Sequence, residues 1–108
     1  MDVTVVRYKT KRERADENQA FVEKVFAELA TERPDGLRYM TLRLADGVSF
    51  VHIASVETAD GQNPLGKTAA FGTFQQEIVD RCEEGPVVTT GTVVGSYRCP
   101  TGPDGAGA

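Results

Sequence analysis

The chain has 108 residues, with 12 Lys and Arg against 16 Asp and Glu, so its formal net charge is −4 and its pI is near 4.9. This length is typical of one domain, and 40% hydrophobic with 26% charged residues excludes a wholly disordered chain. The acidic balance argues against a protein that binds nucleic acid through charge. No apolar run reaches the roughly 18–20 residues of a membrane span, so we expect no membrane partner.

The N-terminal residues MDVTVVRYKTKRE contain no apolar signal-peptide core. The two cysteines, Cys82 and Cys99, are far apart and form no CxxC pair. We therefore expect a cytoplasmic protein with free thiols and without a structural zinc site.

The first part of the chain predicts a strand followed by a helix. Residues 2–9 are rich in Val and Tyr and predict a strand. Thr10 and Glu13 match the capping-box pattern at the start of a helix, which should end near Arg33 because Pro34 follows. The apolar stripe of this helix is Ala15, Val22, Val25, Phe26 and Leu29.

The second part predicts a hairpin, a second helix and a last strand. Residues 37–45 and 48–57 predict two strands joined by a type I′ turn at Asp46-Gly47. After a loop at 58–66, residues 67–84 predict a helix that is ended by Gly85-Pro86. Its apolar face is Phe71, Phe74, Ile78 and Cys82.

The C-terminal part predicts the final strand and a tail. Residues 87–98 predict a long strand, with Gly91 and Gly95 as bends or bulges. Residues 99–108 have too little apolar content to pack, so we expect a disordered tail after a single domain at 1–98. The order β-α-β-β-α-β predicts a ferredoxin-like α+β fold, a four-stranded antiparallel sheet with two helices on one face.

Apolar residues occur on both predicted faces of this sheet. Val51 and Ile53 alternate with Phe50 and Ala54 along one strand. Two helices can cover only one face, so we expect a homodimer in which the second chain covers the other face. The alternative is a monomer whose second face is diluted enough by Thr, Ser and Arg.

Residues 61–68, GQNPLGKT, match the pattern of a phosphate-binding loop. The preceding strand is predicted to end near Glu57, which leaves a gap, and no later strand ends in an Asp that would hold Mg²⁺. The match therefore lacks its structural context, and we expect no nucleotide site.

Three segments carry a resemblance to a known family: FVHIASVE (50–57), NPLGKTAAFGTFQQEIVDRC (63–82) and VVGSYR (93–98). With them, the chain resembles the dimeric α+β barrel superfamily and, within it, the small antibiotic-biosynthesis-monooxygenase-like proteins. The resemblance extends over residues 2–98. It implies homodimers that pack sheet against sheet, often with exchanged C-terminal strands, and a ligand cleft between helices and sheet.

The resemblance also implies an activity class. Characterised enzymes of this type include cofactor-independent quinol-forming oxygenases and haem-degrading oxygenases, and both tend to use a tryptophan beside Asn or His. This chain contains no Trp, so neither catalytic set carries over intact. What remains is cofactor-independent oxidation of a small aromatic or quinol-like molecule, with no bound cofactor. The alternative is a non-catalytic ligand-binding or assembly module.

Six residues are the candidate site. His52, the only histidine, would be the catalytic base, and Asn18 would orient the substrate or stabilise an anion. A lone histidine is more often a hydrogen-bonded core residue, and Asn18 can equally satisfy backbone groups. The predicted aromatic ligand pocket, which can instead be plain core, consists of Phe26, Phe50, Phe71 and Phe74.

Overall fold

A computed structural model describes residues 2–58 and 61–98. The four strands are β1 (Asp2–Thr10), β2 (Leu37–Arg43), β3 (Ser49–Val56) and β4 (Cys82–Thr92), and the helices are α1 (Ala15–Glu32), α2 (Ala69–Gln76) and the single turn α3 (Ile78–Arg81). All neighbours are antiparallel, in the order β2-β3-β1-β4. This confirms the ferredoxin-like α+β fold. The tail predicted at 99–108 lies outside the described residues.

The entry into α1 differs from the predicted capping box. Thr10 is fully buried at the end of β1, and its hydroxyl donates to the carbonyl of Val48 at 3.0 Å. The chain then passes through a 3₁₀ turn at Arg12–Arg14, and Lys11 and Arg14 make no side-chain cap. The capping-box prediction is wrong because Thr10 is the last residue of β1, paired with Cys82, and the 3₁₀ turn separates it from the first turn of α1.

The end of α1 is as predicted. Arg33 takes a left-handed conformation at φ 49°, and its N–H donates to the carbonyl of Leu29. Gly36 follows at φ +80°, where a Cβ atom would lie 2.7 Å from the carbonyl oxygen of Glu57. The chain therefore needs glycine at this position to turn into β2.

The β2–β3 hairpin is confirmed, but its turn is of another type. Within the turn only Gly47 has positive φ, and its N–H donates to the carbonyl of Leu44. This is the longer hairpin loop, in which a left-handed glycine follows an ordinary turn. The Asp46 carboxylate accepts the N–H groups of Val48 and Ser49 and the Ser49 hydroxyl, and these bonds lower its pKa to about 2.

The helix predicted at 67–84 is wrong in length. The helical conformation stops at Gln76, resumes for one turn, and gives way to β4 at Cys82, which pairs with Thr10. Cys82 is buried in the core, as expected, but it begins a strand. Pairing with β1 outweighs the helical pattern of residues 82–84. If these residues were helical, the main-chain groups of β1 opposite them would lose their hydrogen-bond partners.

Gly85-Pro86 lies inside β4 and does not end a helix. Arg7 pairs with Val87 and Lys9 pairs with Glu84, so two residues of β4 oppose Tyr8 alone. This is a β-bulge, and it suits Pro86, which has no N–H to donate. The strand predicted at 87–98 ends at Thr92; Gly91 pairs regularly with β1, and Gly95 lies beyond the strand.

The core lies between the sheet and the helices. Its buried apolar members are Tyr8, Ala15, Val22, Val25, Val48, Phe50, Leu65, Phe74 and Cys82. Val22 and Val25 come from the predicted stripe of α1, which confirms the face that this helix buries. Among the described residues, no helix is long and apolar enough to cross a membrane.

Candidate functional site

His52 is at the centre of a buried polar cluster. Strand β3 directs its side chain toward the helices, and only 6% of the residue is exposed. Its Nε2 atom lies 2.8 Å from the Tyr8 hydroxyl, and its Nδ1 atom lies 2.5 Å from the Tyr39 hydroxyl and 3.1 Å from that of Thr41. Both ring nitrogens therefore already have protein partners.

The cluster continues from Tyr8 to a buried arginine. The Asn18 side-chain amide donates to the Tyr8 hydroxyl at 2.8 Å, and its Oδ1 accepts from Arg81 Nε at 3.1 Å. Asn18 is fully buried in α1, and Arg81 ends α3. We call the chain Arg81–Asn18–Tyr8–His52–Tyr39 the polar relay. Among the described residues, no buried side-chain nitrogen or oxygen lacks a hydrogen-bond partner.

Burial determines the protonation states in the polar relay. It lowers the pKa of His52 to about 4, so the imidazole is neutral at pH 7. It raises the pKa of Tyr8 and Tyr39 above the ordinary phenol value, so both hydroxyls keep their protons. Burial also lowers the pKa of Arg81, but a guanidinium stays charged in proteins. The relay thus contains one cation and otherwise neutral groups.

A cavity of about 240 Å³ lies beside His52, between the sheet and α2. Its apolar walls include Phe71, Phe74 and Val88. Among the described residues, no Asp, Glu, Lys or Arg lines it; its polar groups are Thr4, Tyr8, Tyr39, His52, Asn63 and Gln75. Drug-sized ligands occupy pockets of roughly 300–1,000 Å³, so this cavity suits a smaller, uncharged and largely apolar molecule.

Three of the six predicted site residues line the cavity, and the other three lie behind its wall. His52, Phe71 and Phe74 line the cavity together. Asn18 does not line it and reaches it only through Tyr8. Phe50, 1% exposed, stacks on Tyr8 at 5.6 Å between ring centroids. Phe26 stacks on Tyr39 at 4.9 Å and lines a separate surface depression. Phe26 and Phe50 therefore support the tyrosines from behind.

Sequence reasoning missed Tyr8, Tyr39 and Arg81. Tyr39 is paired with Ala54, so a period-two reading of β2 and β3 could have placed it on the His52 face. Arg81 follows Phe74 by seven positions and Ile78 by three, which puts a charge on the apolar stripe of a helix. A charge in such a stripe is a signal of a buried polar partner.

The segment that matches a phosphate-binding loop has another role. The Thr68 side chain accepts from the N–H of Phe71 and caps α2. The N–H groups of the first two residues of α2, Ala69 and Ala70, donate to the carboxylate of Glu28 from α1. These bonds lower the pKa of Glu28, and the start of α2 already holds an anion of the chain itself.

Within residues 2–58 and 61–98, no three His, Cys, Asp or Glu side chains are grouped closely enough to hold a metal ion. The donor atoms beside the cavity are hydroxyls, side-chain amides and one imidazole. They can form hydrogen bonds to a neutral oxygen-bearing ligand.

Comparisons with known proteins relate the chain to solved structures only. No family model and no curated protein matches the sequence. A candidate antibiotic biosynthesis monooxygenase from Nitrosomonas europaea is 20% identical and has a TM-score of 0.72; the match covers 87% of this chain and 99% of that one. Rv0793 from Mycobacterium tuberculosis is 14% identical, with a TM-score of 0.69 and coverage of 88% and 96%.

A third structure is SnoaB, a cofactor-independent oxygenase from Streptomyces nogalater, in a mutant form. It is 20% identical, with a TM-score of 0.62, and the match covers 88% of this chain and 95% of that one. Likeness at this level of identity concerns the fold. The chain has the ferredoxin-like α+β fold of antibiotic-biosynthesis-monooxygenase-like proteins, as the sequence resemblance implied.

Proposed function

We propose that the chain is a cytoplasmic homodimer that binds a small aromatic or quinol-like molecule in the cavity and oxidises it with O₂, without a bound cofactor. The observation that carries this proposal is the apolar cavity of about 240 Å³ with His52 and two tyrosine hydroxyls in its wall. The fold shared with SnoaB, a cofactor-independent oxygenase, supports the reaction class.

The proposed reaction starts with removal of a proton from a phenol or an activated CH₂ group of the substrate. The resulting anion is electron-rich and can pass an electron to O₂. In the net reaction of a CH₂ group, one oxygen atom becomes the new carbonyl and the other leaves as water with the two substrate hydrogens. The protein would exclude water and stabilise the anion with hydroxyl donors.

His52 is the proposed proton acceptor, and Asn18 would act on the substrate through Tyr8. Both His52 nitrogens are bonded to hydroxyls. The Nε2 atom lies 2.8 Å from the Tyr8 hydroxyl, which lines the cavity, so a proton from the substrate would reach the imidazole by way of Tyr8. The pKa of about 4 makes the imidazole a weak base. Proton transfer from the substrate to His52 is therefore unfavourable at pH 7, and the proposed oxidation requires the substrate anion to react with O₂ as soon as it forms.

The proposed dimer uses the sheet face that points away from the helices. On this outer face Ile53 lies between Val5 of β1 and Met40 of β2, and all three are only partly covered. Leu42 and Val87 are more exposed still, at 41% and 64%. A second copy of the same face, related by a two-fold axis, would remove this apolar surface from water.

Oxygen consumption tests the oxygenase proposal directly. With anthrone as the probe, we expect O₂ uptake above the buffer rate and a loss of at least tenfold in the His52→Ala variant. Glu23→Ala, a substitution at an exposed position of α1, is the control and should keep the wild-type rate. Uptake that is equal in wild type and His52→Ala would remove His52 from the reaction.

Light scattering tests the dimer. We expect twice the 11.7 kDa mass of one chain over a wide concentration range. A mass of one chain at every concentration would contradict the proposal.

A second function, a non-catalytic binding module, is supported by one observation. Both His52 nitrogens are occupied and the imidazole is neutral, which is also what a structural histidine requires. Saturable binding of anthrone under argon, without any O₂ uptake in air, would favour this function over the oxygenase.

A further inference from the structure

Arg81 is a buried cation that forms no direct ion pair among the described residues; the Glu17 carboxylate acts on it only from a longer distance. It is 1% exposed, and its polar contacts are Asn18 Oδ1 at 3.1 Å and the carbonyl of Phe74 at 2.5 Å. Its guanidinium also lies over the rings of Phe21 and Phe74, at 4.6 and 5.3 Å. Replacing its hydration with these few contacts is costly, so a charge in this place calls for an explanation.

The charge of Arg81 determines which group donates and which accepts in each hydrogen bond of the polar relay. A guanidinium can only donate, so the atom of Asn18 that faces it must be the oxygen Oδ1. The amide NH₂ is then turned toward Tyr8 and donates to its hydroxyl oxygen. Among the described residues, the one acceptor that remains for the proton of Tyr8 is His52 Nε2, at 2.8 Å.

This direction continues through the imidazole. A neutral imidazole carries one N–H, so Nε2 can accept from Tyr8 only if the proton is on Nδ1. The nearest acceptor for Nδ1–H is the hydroxyl oxygen of Tyr39, which lines the cavity. The Tyr39 proton is then not available to His52, and the hydroxyl of Thr41, beside Tyr39, is the protein group that competes with a ligand for it.

We propose that Arg81 is a positioning residue: through Asn18 and Tyr8 it holds His52 in the Nδ1–H tautomer, so that the Tyr39 hydroxyl donates its proton into the cavity. Reversal of the relay would turn Tyr39 into an acceptor. Because the Tyr39 hydroxyl donates into the cavity, it favours a largely apolar ligand that carries an acceptor oxygen, such as an aromatic ketone or a quinone. This statement about the ligand rests on the proposed function, whereas the tautomer does not.

Nitrogen NMR of the imidazole tests the tautomer without any ligand. His52 is the only histidine, so a protein labelled with ¹⁵N-histidine gives one imidazole pattern that needs no assignment. At pH 7 we expect a protonated, pyrrole-type Nδ1 and an unprotonated, pyridine-type Nε2. A wild-type spectrum in which the proton is on Nε2 would overturn the proposal, and this outcome does not depend on the folding of any variant.

Asn18→Asp is the decisive variant. The new carboxylate can still accept from Arg81, but toward Tyr8 it offers an acceptor in place of a donor. Tyr8 would then donate to the carboxylate, and its oxygen would need the proton of His52 Nε2. We expect the spectrum to change from mainly Nδ1–H to mainly Nε2–H. A folded Asn18→Asp protein that keeps the Nδ1–H tautomer would contradict the proposed direction.

Arg81→Met and Phe21→Leu form a matched pair. Arg81→Met keeps a long side chain but removes the donor that orients Asn18, so we expect a mixture of both tautomers. Phe21→Leu disturbs packing against the same guanidinium and leaves its hydrogen bonds in place. It should keep the wild-type tautomer. If Phe21→Leu changes the tautomer as Arg81→Met does, packing and not the charge would be responsible.

Binding of 1,4-naphthoquinone tests the consequence for ligands. Its two oxygens can only accept hydrogen bonds, so Tyr39→Phe should weaken its binding roughly threefold to tenfold. Naphthalene, which has no acceptor, should bind both proteins equally. A failure here with the expected tautomer would reject the ligand class alone, and a failure of O₂ uptake would leave the relay unaffected.

Discussion

The two faces of the sheet differ in where they carry polar groups. The face under the helices contains the polar relay, which is hydrogen-bonded and largely buried, with Tyr39 at the cavity. The outer face carries apolar side chains such as Ile53 and Leu42 with no helix above them. A buried polar cluster costs free energy that a plain core would not, and an exposed apolar face does the same. This difference is the basis for proposing a ligand site on one face and a dimer interface on the other.

The largest expected effect is on the outer face. Ile53→Glu places a carboxylate between Val5 and Met40, where a second chain would bury it without a partner. We expect dimerisation to weaken at least a hundredfold, about 3 kcal/mol. Sedimentation equilibrium measures this change. Val79→Glu, at a position 70% exposed on α3, is the control and should leave the dimer intact; equal behaviour of the two variants would argue against this interface.

The next effect is on the inner face. Asn18→Leu leaves the Arg81 Nε–H and the Tyr8 hydroxyl oxygen without their partner in the core. We expect the free energy of unfolding to fall by roughly 2–4 kcal/mol, measured by urea denaturation. Glu23→Leu, on the exposed side of the same helix, should change it by less than about 0.5 kcal/mol. A small loss from Asn18→Leu would mean that the cluster is not tightly packed.

A third prediction concerns pH. The pKa of His52 is about 4 in the folded protein and near 6.5 when unfolded. Above pH 6.5 both states are neutral at this residue, and below it the unfolded state takes up the proton first. Stability is therefore lost as pH falls from about 6.5 to 4, by roughly 3 kcal/mol in total.

Comparison with His52→Gln isolates this contribution from the carboxylates. We expect the difference in unfolding free energy between wild type and His52→Gln to shift by that amount between pH 7 and 4. A difference that does not change with pH would show that His52 is not held neutral.

The smallest expected effect distinguishes the cavity from the core. Ala54 lines the cavity, and Ala54→Leu should fill it with a stability change within about 1 kcal/mol, but should abolish ligand binding. Ala15→Leu, at a core position 2% exposed, should cost about 1–3 kcal/mol by overpacking. Thermal unfolding compares the two, and similar losses would indicate that no usable cavity exists beside His52.

Part of the fold could be predicted from local sequence. Strand β1, the C-terminal end of α1 and the β2–β3 hairpin follow from residue alternation, the apolar stripe of α1 and the glycines at 36 and 47. The junction between α3 and β4 could not be predicted in this way. Residues 82–84 continue a helical pattern, and only the presence of β1 as a partner makes the extended conformation more favourable.

The candidate site, too, could be predicted only in part, because local sequence does not report long-range partners. His52, Phe71 and Phe74 were identified as candidates, and the structure brings them to one cavity. Tyr8, the partner of His52, is 44 positions away along the chain. The charge of Arg81 in an apolar stripe indicates burial, but its bond to Asn18, 63 positions away, could not be recognised locally. Nothing in local periodicity reports which side chains meet across two strands and two helices.

The sequence by itself determined the order of the elements and the face that each one buries, because alternation, helical spacing and positive-φ glycines act over a few residues. Tertiary structure alone decided that a guanidinium, an amide, two phenols and an imidazole meet in one hydrogen-bonded line. That meeting depends on strand register, which a shift of one residue would destroy, since every side chain would then point to the opposite face.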